Sequence, residues 1–546
     1  DWIVGLNFTR AYTTLNHQLC TVGRVQTPTL GLIVERQEEI NNFIPVEFFE
    51  VLVTFEPGFI ARYLTPQIVP QTRLANRATA ERIIKSISTQ RSGKVEKLET
   101  VERRSKAPGL YDLLTLQKEA NKQFGYTAQE TLDIAQSLYE EHKLLSYPRT
   151  ESRHLSTDMV EELPRILSNL LQSTMMNTGV AQAFAKEGIL AGNISADLLR
   201  RSLSKSYVDD TKLTDHHAII PTHNAPPAAL PEKQRNVYLL VATRFLSIFL
   251  PAEVREETEI LIKIGIHLFR AKGVVVRDAG WTVVESGKEK FQDRDQEAQQ
   301  MPPMSPGDLV NKRKAELKEG KTTPPKAYDD SSLLTAMKNA GKELDDDDLA
   351  SYMAQSGLGT PATRAAIIER LVHSDYVVRS KKSLLPTDKG KALINAVHPS
   401  LKDIALTASW EQKLAEVTEG KLALAAFEAD IARFLTELLP EVSQKGASLP
   451  VVVDPGLGKC PKCKDGTVRE TPQGAGCSRW KEGCNFSVWR EQYGKKITDS
   501  QLKELIEKGR TKVIKGFKKK DGSGSYDARL VLNNEFKVRL EFEKQH

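Results

Sequence analysis

Tyr147, Arg149 and Glu151 stand within five consecutive residues of the stretch "LLSYPRTESRHLS", Leu144 to Ser156. A tyrosine that closes an apolar strand usually packs its ring and leaves its hydroxyl wet. The same side chain becomes a nucleophile only where cations favour its oxyanion, because a phenol titrates near about 10. Arg149 and Arg153 bring such charge close in sequence. A guanidinium also matches two phosphate oxygens with a planar fork that a lysine cannot copy. The chemistry on offer is attack on a phosphodiester, with packing as the alternative.

Other stretches offer partners for that chemistry. "DHHAIIPT" sets His216 and His217 side by side; in an extended chain they point to opposite faces, and such a pair serves structure, a metal or catalysis. In "GLGTPATRAAIIERL", Gly359 permits a tight backbone, Thr360 can cap, Pro361 suits the first helical position and Arg364 lies in the first turn. A helix start with free N–H groups and an arginine can seat a phosphate. "TVGRVQTPTL" places Arg24 and Gln26 on a glycine-bearing turn. The acidic run "ELDDDDLA" reads as a solvated turn rather than a metal site.

Cysteine usage separates the C-terminus from the rest. Four of the five cysteines, Cys460, Cys463, Cys477 and Cys484, lie within 25 residues. In a cysteine-poor chain this fits a reducing compartment and a structural tetrathiolate zinc site, with a second pair spaced more widely than a standard knuckle. Trp480, Phe486, Trp489 and Tyr493 among Arg479, Lys481 and Arg490 suit stacking on unpaired bases, or filling the core of a zinc ribbon, or both.

The elements that must hold these residues follow from periodicity. Helical periodicity covers the start to about Asn42, "FFEVLVTFEPGFIARYL" alternates as strands, and a helical block runs to Tyr147. Within that block Thr127 and Glu130 form a capping box, opening a helix with Ala135, Leu138 and Tyr139 on one face. Strands return in "EILIKIGIHLFRAKGVVVRDAGWTVV", a polar loop follows in "SGKEKFQDRDQEAQQMPPMSPGD", and helices resume after Lys321. The alternation predicts domains that the chain leaves and re-enters.

With 546 residues, 40% hydrophobic and 27% charged, the chain has the composition of a multi-domain globular protein, and it holds no apolar run of membrane-span length. Asp1 follows no initiator methionine or signal peptide, so the chain is expected to begin inside a longer polypeptide. From Gly446 onward there are 21 Lys+Arg against 13 Asp+Glu, whereas the remainder has 56 against 58, so the basic excess of +6 lies wholly in the tail. A polyanion is the expected partner of that tail.

Taken in order, "DWIVGLNFTRAYT", "VGRVQTPTLGLIVERQEEI", "LYDLLTLQKEAN", "TLDIAQSLYE", "YPRTESRHLS", "DHHAIIPT", "GLGTPATRAAIIERL" and "SWEQKLAEVTEGK" resemble the type IA DNA topoisomerases, most closely their bacterial topoisomerase III branch. The resemblance implies a multi-domain α+β torus with a C-terminal zinc-ribbon-like module. Its expected parts are a helical base (1–45 and 321–445), a strand-rich arch (46–105 and 226–320), a helical gate domain with Tyr147 (106–225) and a cysteine-rich basic module (446–546). It further implies that Tyr147 forms a 5′-phosphotyrosine link to single-stranded DNA, that Arg149 steadies the scissile phosphate and that His216 contacts it. Arg10 and the run Thr21, Val22, Gly23, Arg24, Val25 and Gln26 fall on its DNA-contacting segments. Gln136, Ser146 and Glu151 line the same groove, Glu151 standing where many relatives carry aspartate, and Thr360 and Arg364 are the remaining candidates for DNA contact.

Implied as well are ATP-independent relaxation of negatively supercoiled DNA or decatenation, a monomer acting in a bacterial cytoplasm, and a helicase or single-strand-binding protein as partner. Zinc is expected on the four cysteines. Magnesium is expected on an N-terminal Toprim domain that this sequence lacks, so a catalytically deficient single-strand-binding fragment is the alternative.

Overall fold

The computed structural model describes residues 2–56, 58–173, 178–189, 194–195, 199, 203–227, 229–285, 299, 301–344, 346–445, 456–471, 473–518 and 524–542. Most of the expected polar loop after Glu285 therefore lies outside the described residues. The chain divides into two compact units, Asp1–Leu449 and Pro450–His546.

Three hydrophobic cores build the first unit, and the chain enters each of them more than once. Helices α1 (Trp2–Asn16) and α2 (Gln26–Asn41) begin it. Phe8, Leu30 and Ile33 from these helices share a core with Leu333, Ile368, Trp410 and Leu438. Strands β1 (Glu47–Phe55) and β2 (Ile60–Leu64), helix α3 (Arg77–Ser86) and strand β3 (Ser92–Ser105) come next. Together with β4 (Glu253–Ile264), β5 (His267–Asp278) and β6 (Leu309–Lys321) the strands close a barrel in the order β1-β2-β5-β4-β3-β6. Val51, Val53, Phe55, Ile260, Ile262 and Phe269 fill it. β6 meets β3 only at Ser92–Lys94, so the remainder of β3 runs with β4 alone and is mostly exposed and charged.

The helical block inserted between β3 and β4 forms the third core. It contains α4 (Leu113–Phe124), α5 (Ala128–Glu140) and α6 (Leu163–Gln172). The capping box expected at α5 is present: Thr127 accepts from the Glu130 backbone while the Glu130 side chain takes the Thr127 N–H. Helix α7 (Glu232–Ser247) buries Val237, Tyr238, Val241, Phe245 and Leu246 in this same core, together with Trp281 and Val284. The expected division placed 226–320 with the strands; α7 departs from it because its apolar face is too broad to leave the helical core. "GWTVV", expected as strand, is a short 3-10 helix, Gly280–Val284, whose Trp281 indole donates to the Ser105 carbonyl at 2.8 Å.

The rest of the first unit returns to the first core through α8 (Asp330–Asn339), α9 (Pro361–His373) and α10 (Ile404–Thr418). α9 opens as its sequence predicts, with Thr360 at the cap, Pro361 first and Gly359 at φ +71°. The aspartate run is not a free turn. Asp346 accepts from the Asp348 and Leu349 N–H groups and starts the helix Asp347–Ser356, where acidic charge favours the positive end of the helix dipole.

The second unit has its own core around Cys460, Cys477, Phe486, Leu502, Leu505 and Phe517. A three-stranded sheet of Val468–Thr471, Gly474–Cys477 and Ser487–Trp489 carries Cys477, with the other three cysteines in the loops beside its strands. The helix Asp499–Lys508 and a second three-stranded sheet, Ile514–Lys518, Ser525–Leu532 and Val538–Glu541, complete it.

Candidate active site and cysteine cluster

Tyr147 follows a short extended segment that is tied to the chain around Ile219. Leu145 bridges Pro221, the Ser146 N–H donates to the Ile220 carbonyl at 2.9 Å, and the Ser146 hydroxyl donates to the Ala218 carbonyl at 3.1 Å. The apolar residues on both sides sink into the third core, which fixes where the phenol emerges. Its ring is half-buried, and two aromatic neighbours hold it: His216 with centroids 4.5 Å apart, and Tyr139 of α5 edge-on at 5.5 Å. Thr150 reinforces the pair by donating its hydroxyl to the His216 carbonyl at 3.2 Å. His217 turns away and engages the Ala218 carbonyl through Nδ1 at 2.8 Å.

Arg149 is exposed, and its guanidinium donates to Oε1 of Gln136 at 3.1 Å; Gln136 is in turn steadied by Glu140 at 2.9 Å. α5 therefore supplies both the ring beside Tyr147 and the amide that aims Arg149. Arg153 is not part of the site. Its guanidinium is spent on the carbonyls of Gly109 and Leu110, both at 3.0 Å.

The other sequence candidates fall into three environments. Arg10 is exposed on α1 and Thr360 is exposed at the α9 cap. Thr21 to Gln26 forms a tightly bonded turn: Thr21 N–H to the Tyr376 hydroxyl at 2.8 Å, Val22 N–H to Thr9 at 3.0 Å, Gly23 N–H to Thr27 at 3.0 Å and Gln26 Nε2 to Thr21 Oγ1 at 2.9 Å, with Val25 packed on the first core. Arg24 and Arg364 differ from the expectation of open phosphate contacts. Arg24 is 9% exposed and pairs with Glu411 of α10 at 2.7 Å. Arg364 is 3% exposed, donates to the Leu358 carbonyl at 3.2 Å, and is held below the usual arginine range by burial, with Glu151 and Asp112 opposing that shift. Glu151 itself is exposed, so its charge links the Tyr147 loop to the start of α9.

Sequence reasoning missed the ionic contact between the two helical cores. Asp330 of α8 accepts the Ala128 N–H of α5 at 3.1 Å and pairs with Arg379 at 3.0 Å; Arg379 also binds Glu369 of α9 at 2.6 Å. Burial would lower the Arg379 pKa, but the two carboxylates overcome it and drive it above the ordinary arginine value. No local pattern could have revealed contacts between residues so far apart in the chain.

In the second unit the four cysteine sulfurs lie within 4.8 Å of one another. Sγ of Cys460 is 3.8 Å from Cys484, and Cys463 is 3.6 Å from Cys477. A tetrahedron with Zn–S near about 2.3 Å has edges of about 3.8 Å, close to these two sulfur separations, so the donor set suits zinc. The Gly466 N–H donates to Cys463 and lowers its thiol to about 7, whereas burial pushes Cys477 up to about 12. A Cβ on Gly466 would stand 2.4 Å from the Cys477 sulfur, which explains glycine there. Cys20 is buried in the first core and belongs to the first unit. Phe486 is core, while Trp480, Trp489 and Tyr493 are exposed. Among the described residues no comparable group of three or more acidic or histidine ligands stands at Tyr147, so this chain's described residues offer magnesium no such ligand set.

The architecture is that of a topoisomerase: it matches the full-length topoisomerase I of Thermotoga maritima over the whole of this chain and 73% of that one, with a TM-score of 0.60 and 19% identity. A family model described as DNA topoisomerase matches residues 1–428, and one described as C-terminal repeat of topoisomerase matches 483–543. The chain belongs to the DNA topoisomerase family, as a type IA member close to topoisomerase III. It is 38% identical over 447 residues to DNA topoisomerase 3 of Bacillus licheniformis, covering 81% of this chain and 59% of the relative. For DNA topoisomerase 3 of Bacillus subtilis the identity is 36% over 469 residues, covering 85% and 62%. The chain thus spans about three fifths of the curated relatives it matches. Among the described residues no helix is long and apolar enough to cross a membrane.

Proposed function

We propose that this chain supplies the cleaving tyrosine and the strand-holding surfaces of an ATP-independent type IA topoisomerase that acts on single-stranded regions of negatively supercoiled or catenated DNA. The observation that carries this reading is the trio at the site: Tyr147 against His216, with Arg149 aimed by Gln136. Tyr147 Oη attacks the backbone phosphorus, its proton departs, the P–O3′ bond breaks and the 3′ oxygen leaves as a hydroxyl. One phosphodiester replaces another of similar energy, so the reverse attack by that hydroxyl reseals the strand without ATP. Arg149 and His216 stabilise charge gathering on the non-bridging oxygens. Bound magnesium and a general acid on the Toprim domain would assist the leaving 3′ oxygen, help worth on the order of 10²–10⁴ in rate.

The arrangement of the cores supports a gate as well. Leu144 and Leu145, just before Tyr147, belong to one helical core, Val22 and Ile368 of α9 to another, and the barrel strands lead into and out of the first of these. Separation of the two helical cores would open a cleaved strand for passage. The C-terminal unit holds zinc through Cys460, Cys463, Cys477 and Cys484 and presents Trp480, Trp489 and Tyr493 to unpaired bases.

The test is a covalent adduct. The chain joined to a Toprim domain and given magnesium should trap labelled single-stranded DNA on a denaturing gel, and Tyr147→Phe, which removes one oxygen and leaves the ring packed, should abolish the band. An undiminished band from Tyr147→Phe would refute the assignment. Strand binding without any adduct would instead leave a single-strand-binding protein.

A further inference from the structure

Beside the nucleophile lies a cavity of about 290 Å³ that the cleavage chemistry does not use. It opens between the end of α5, the segment Leu145–Ser146 and the chain around Pro221. Its floor is apolar, made by Leu145, Met159, Ile166 and Ile220. Tyr139 forms one wall, and the same ring touches Tyr147 edge-on at 5.5 Å. The cavity and the nucleophile are therefore separated by one aromatic side chain.

Around this floor stand an ammonium, imidazoles, a carboxylate, hydroxyls and an amide. The Lys143 ammonium lies 5.6 Å from the Tyr139 ring centroid, on a turn with φ +55°. His217 uses Nδ1 on the Ala218 carbonyl, which can only accept, so Nδ1 carries the proton and Nε2 remains to accept from a ligand. Glu162, Asn224, Ser146, Thr222 and His223 also line it. An apolar floor with an aromatic wall takes a flat ring, the histidine and carboxylate take exocyclic donors, and the ammonium takes the anionic group attached to that ring. Those features together describe a nucleotide.

We propose that this cavity receives one nucleobase of the strand cleaved at Tyr147, swung out of line and seated against Tyr139, with Lys143 on the adjoining phosphate. This deepens the proposed function and rests on it, since the base comes from the strand held at Tyr147. Stacking on an aromatic ring is tolerant of base identity, whereas acceptors such as Nε2 of His217 and the Glu162 carboxylate favour bases that carry an amino group. The pocket thereby gives the site a preference at one position of the strand. It also couples that preference to cleavage, because a base pressed on Tyr139 orients the ring that holds Tyr147.

Photo-crosslinking of the whole chain tests this locally, whatever the C-terminal unit binds. Short single-stranded oligonucleotides carrying 5-iodocytosine, which keeps the exocyclic amino group, at each position in turn are irradiated on the protein, and the attached residue is mapped by mass spectrometry. One position should cross-link to Tyr139, Met159 or His217. Met159→Trp, which fills the floor, and Asn224→Trp, which plugs the exposed rim, should each reduce that cross-link at least tenfold, with near-ultraviolet circular dichroism confirming the fold. Anisotropy on the same oligonucleotides reads strand binding separately. Binding with cross-links only elsewhere, or a cross-link that survives both variants, overturns the pocket and leaves the proposed function standing. Absence of any strand binding overturns both.

Discussion

The rings of Tyr147 and His216 face each other with centroids 4.5 Å apart and planes inclined at 48°. Their segments are brought together by the pairing of Leu145 with Pro221 and of Ser146 with Ile220. Arg149 approaches along a different route, through Gln136 on α5.

Those two routes predict separable losses in the chain joined to a Toprim domain. Arg149→Lys keeps the charge and loses the fork, so adduct formation should fall on the order of 10²-fold, the usual loss when one preorganised donor is removed, while strand affinity changes little. Gln136→Ala leaves Arg149 intact but unaimed and should cost less. Single-turnover cleavage rates and anisotropy together check this; equal rates for Arg149→Lys and the parent would remove Arg149 from the chemistry.

The contact between the two helical cores predicts a graded stability series. Asp330 is nearly fully buried and serves both the α5 N-terminus and Arg379, whereas Glu369 is a third exposed. Asp330→Asn leaves the Arg379 charge short of a buried partner and should cost about 3 kcal/mol, the lower range for breaking a buried pair. Glu369→Gln should cost about 1 kcal/mol or less, because solvent screens its contribution. Urea unfolding followed by tryptophan fluorescence measures both, and the reverse order would show that Asp330 is not the keystone of the contact.

Much of the site was legible because its parts are local. Tyr147 and Arg149 are neighbours, the Thr127–Glu130 box lies within one turn, and Thr360-Pro361 marks its helix by side-chain chemistry alone. Arg24 and Arg364 show where that reading stops. A basic residue on a glycine turn or a first helical turn is normally exposed, and only tertiary packing supplies Glu411 to one and buries the other against the Leu358 carbonyl. The membership of α7 was hidden for the same reason: its apolar face is visible in sequence, but the core it enters is not.

Zinc removal should act on the second unit alone. The four thiols form part of the small core built on Phe486, Leu502 and Phe517, and a metal that closes such a core contributes folding energy directly. The purified chain should contain one equivalent of zinc, and chelation should unfold residues beyond 456 while leaving the first unit's thermal transition in place. Cys477→Ser should do the same without chelator. Hydrogen exchange resolves the two units; metal-free protein with undisturbed protection in the second unit would refute a structural zinc.

The charge asymmetry predicts how salt governs binding. The tail after Gly446 carries 21 basic against 13 acidic residues, and its described part presents Trp480, Trp489 and Tyr493 to solvent. Each phosphate neutralised by a lysine or arginine releases condensed counterions, so affinity for single strands falls with salt at about 0.7 log unit per decade for each such contact. Removing the tail should lower the affinity and flatten this slope. What remains on residues 1–445 should be weaker and less sensitive to salt, because Arg24 and Arg364 are committed to partners within the protein and Arg10 and Arg149 are the exposed arginines among the residues proposed for DNA contact. It should still favour unpaired over paired strands, as the single-strand cleavage proposed for Tyr147 requires. Anisotropy across salt concentrations, on single-stranded and duplex oligonucleotides, compares the whole chain with residues 1–445. An unchanged slope after truncation would make the tail a bystander, and loss of all binding would place the strand-holding surface wholly in the second unit.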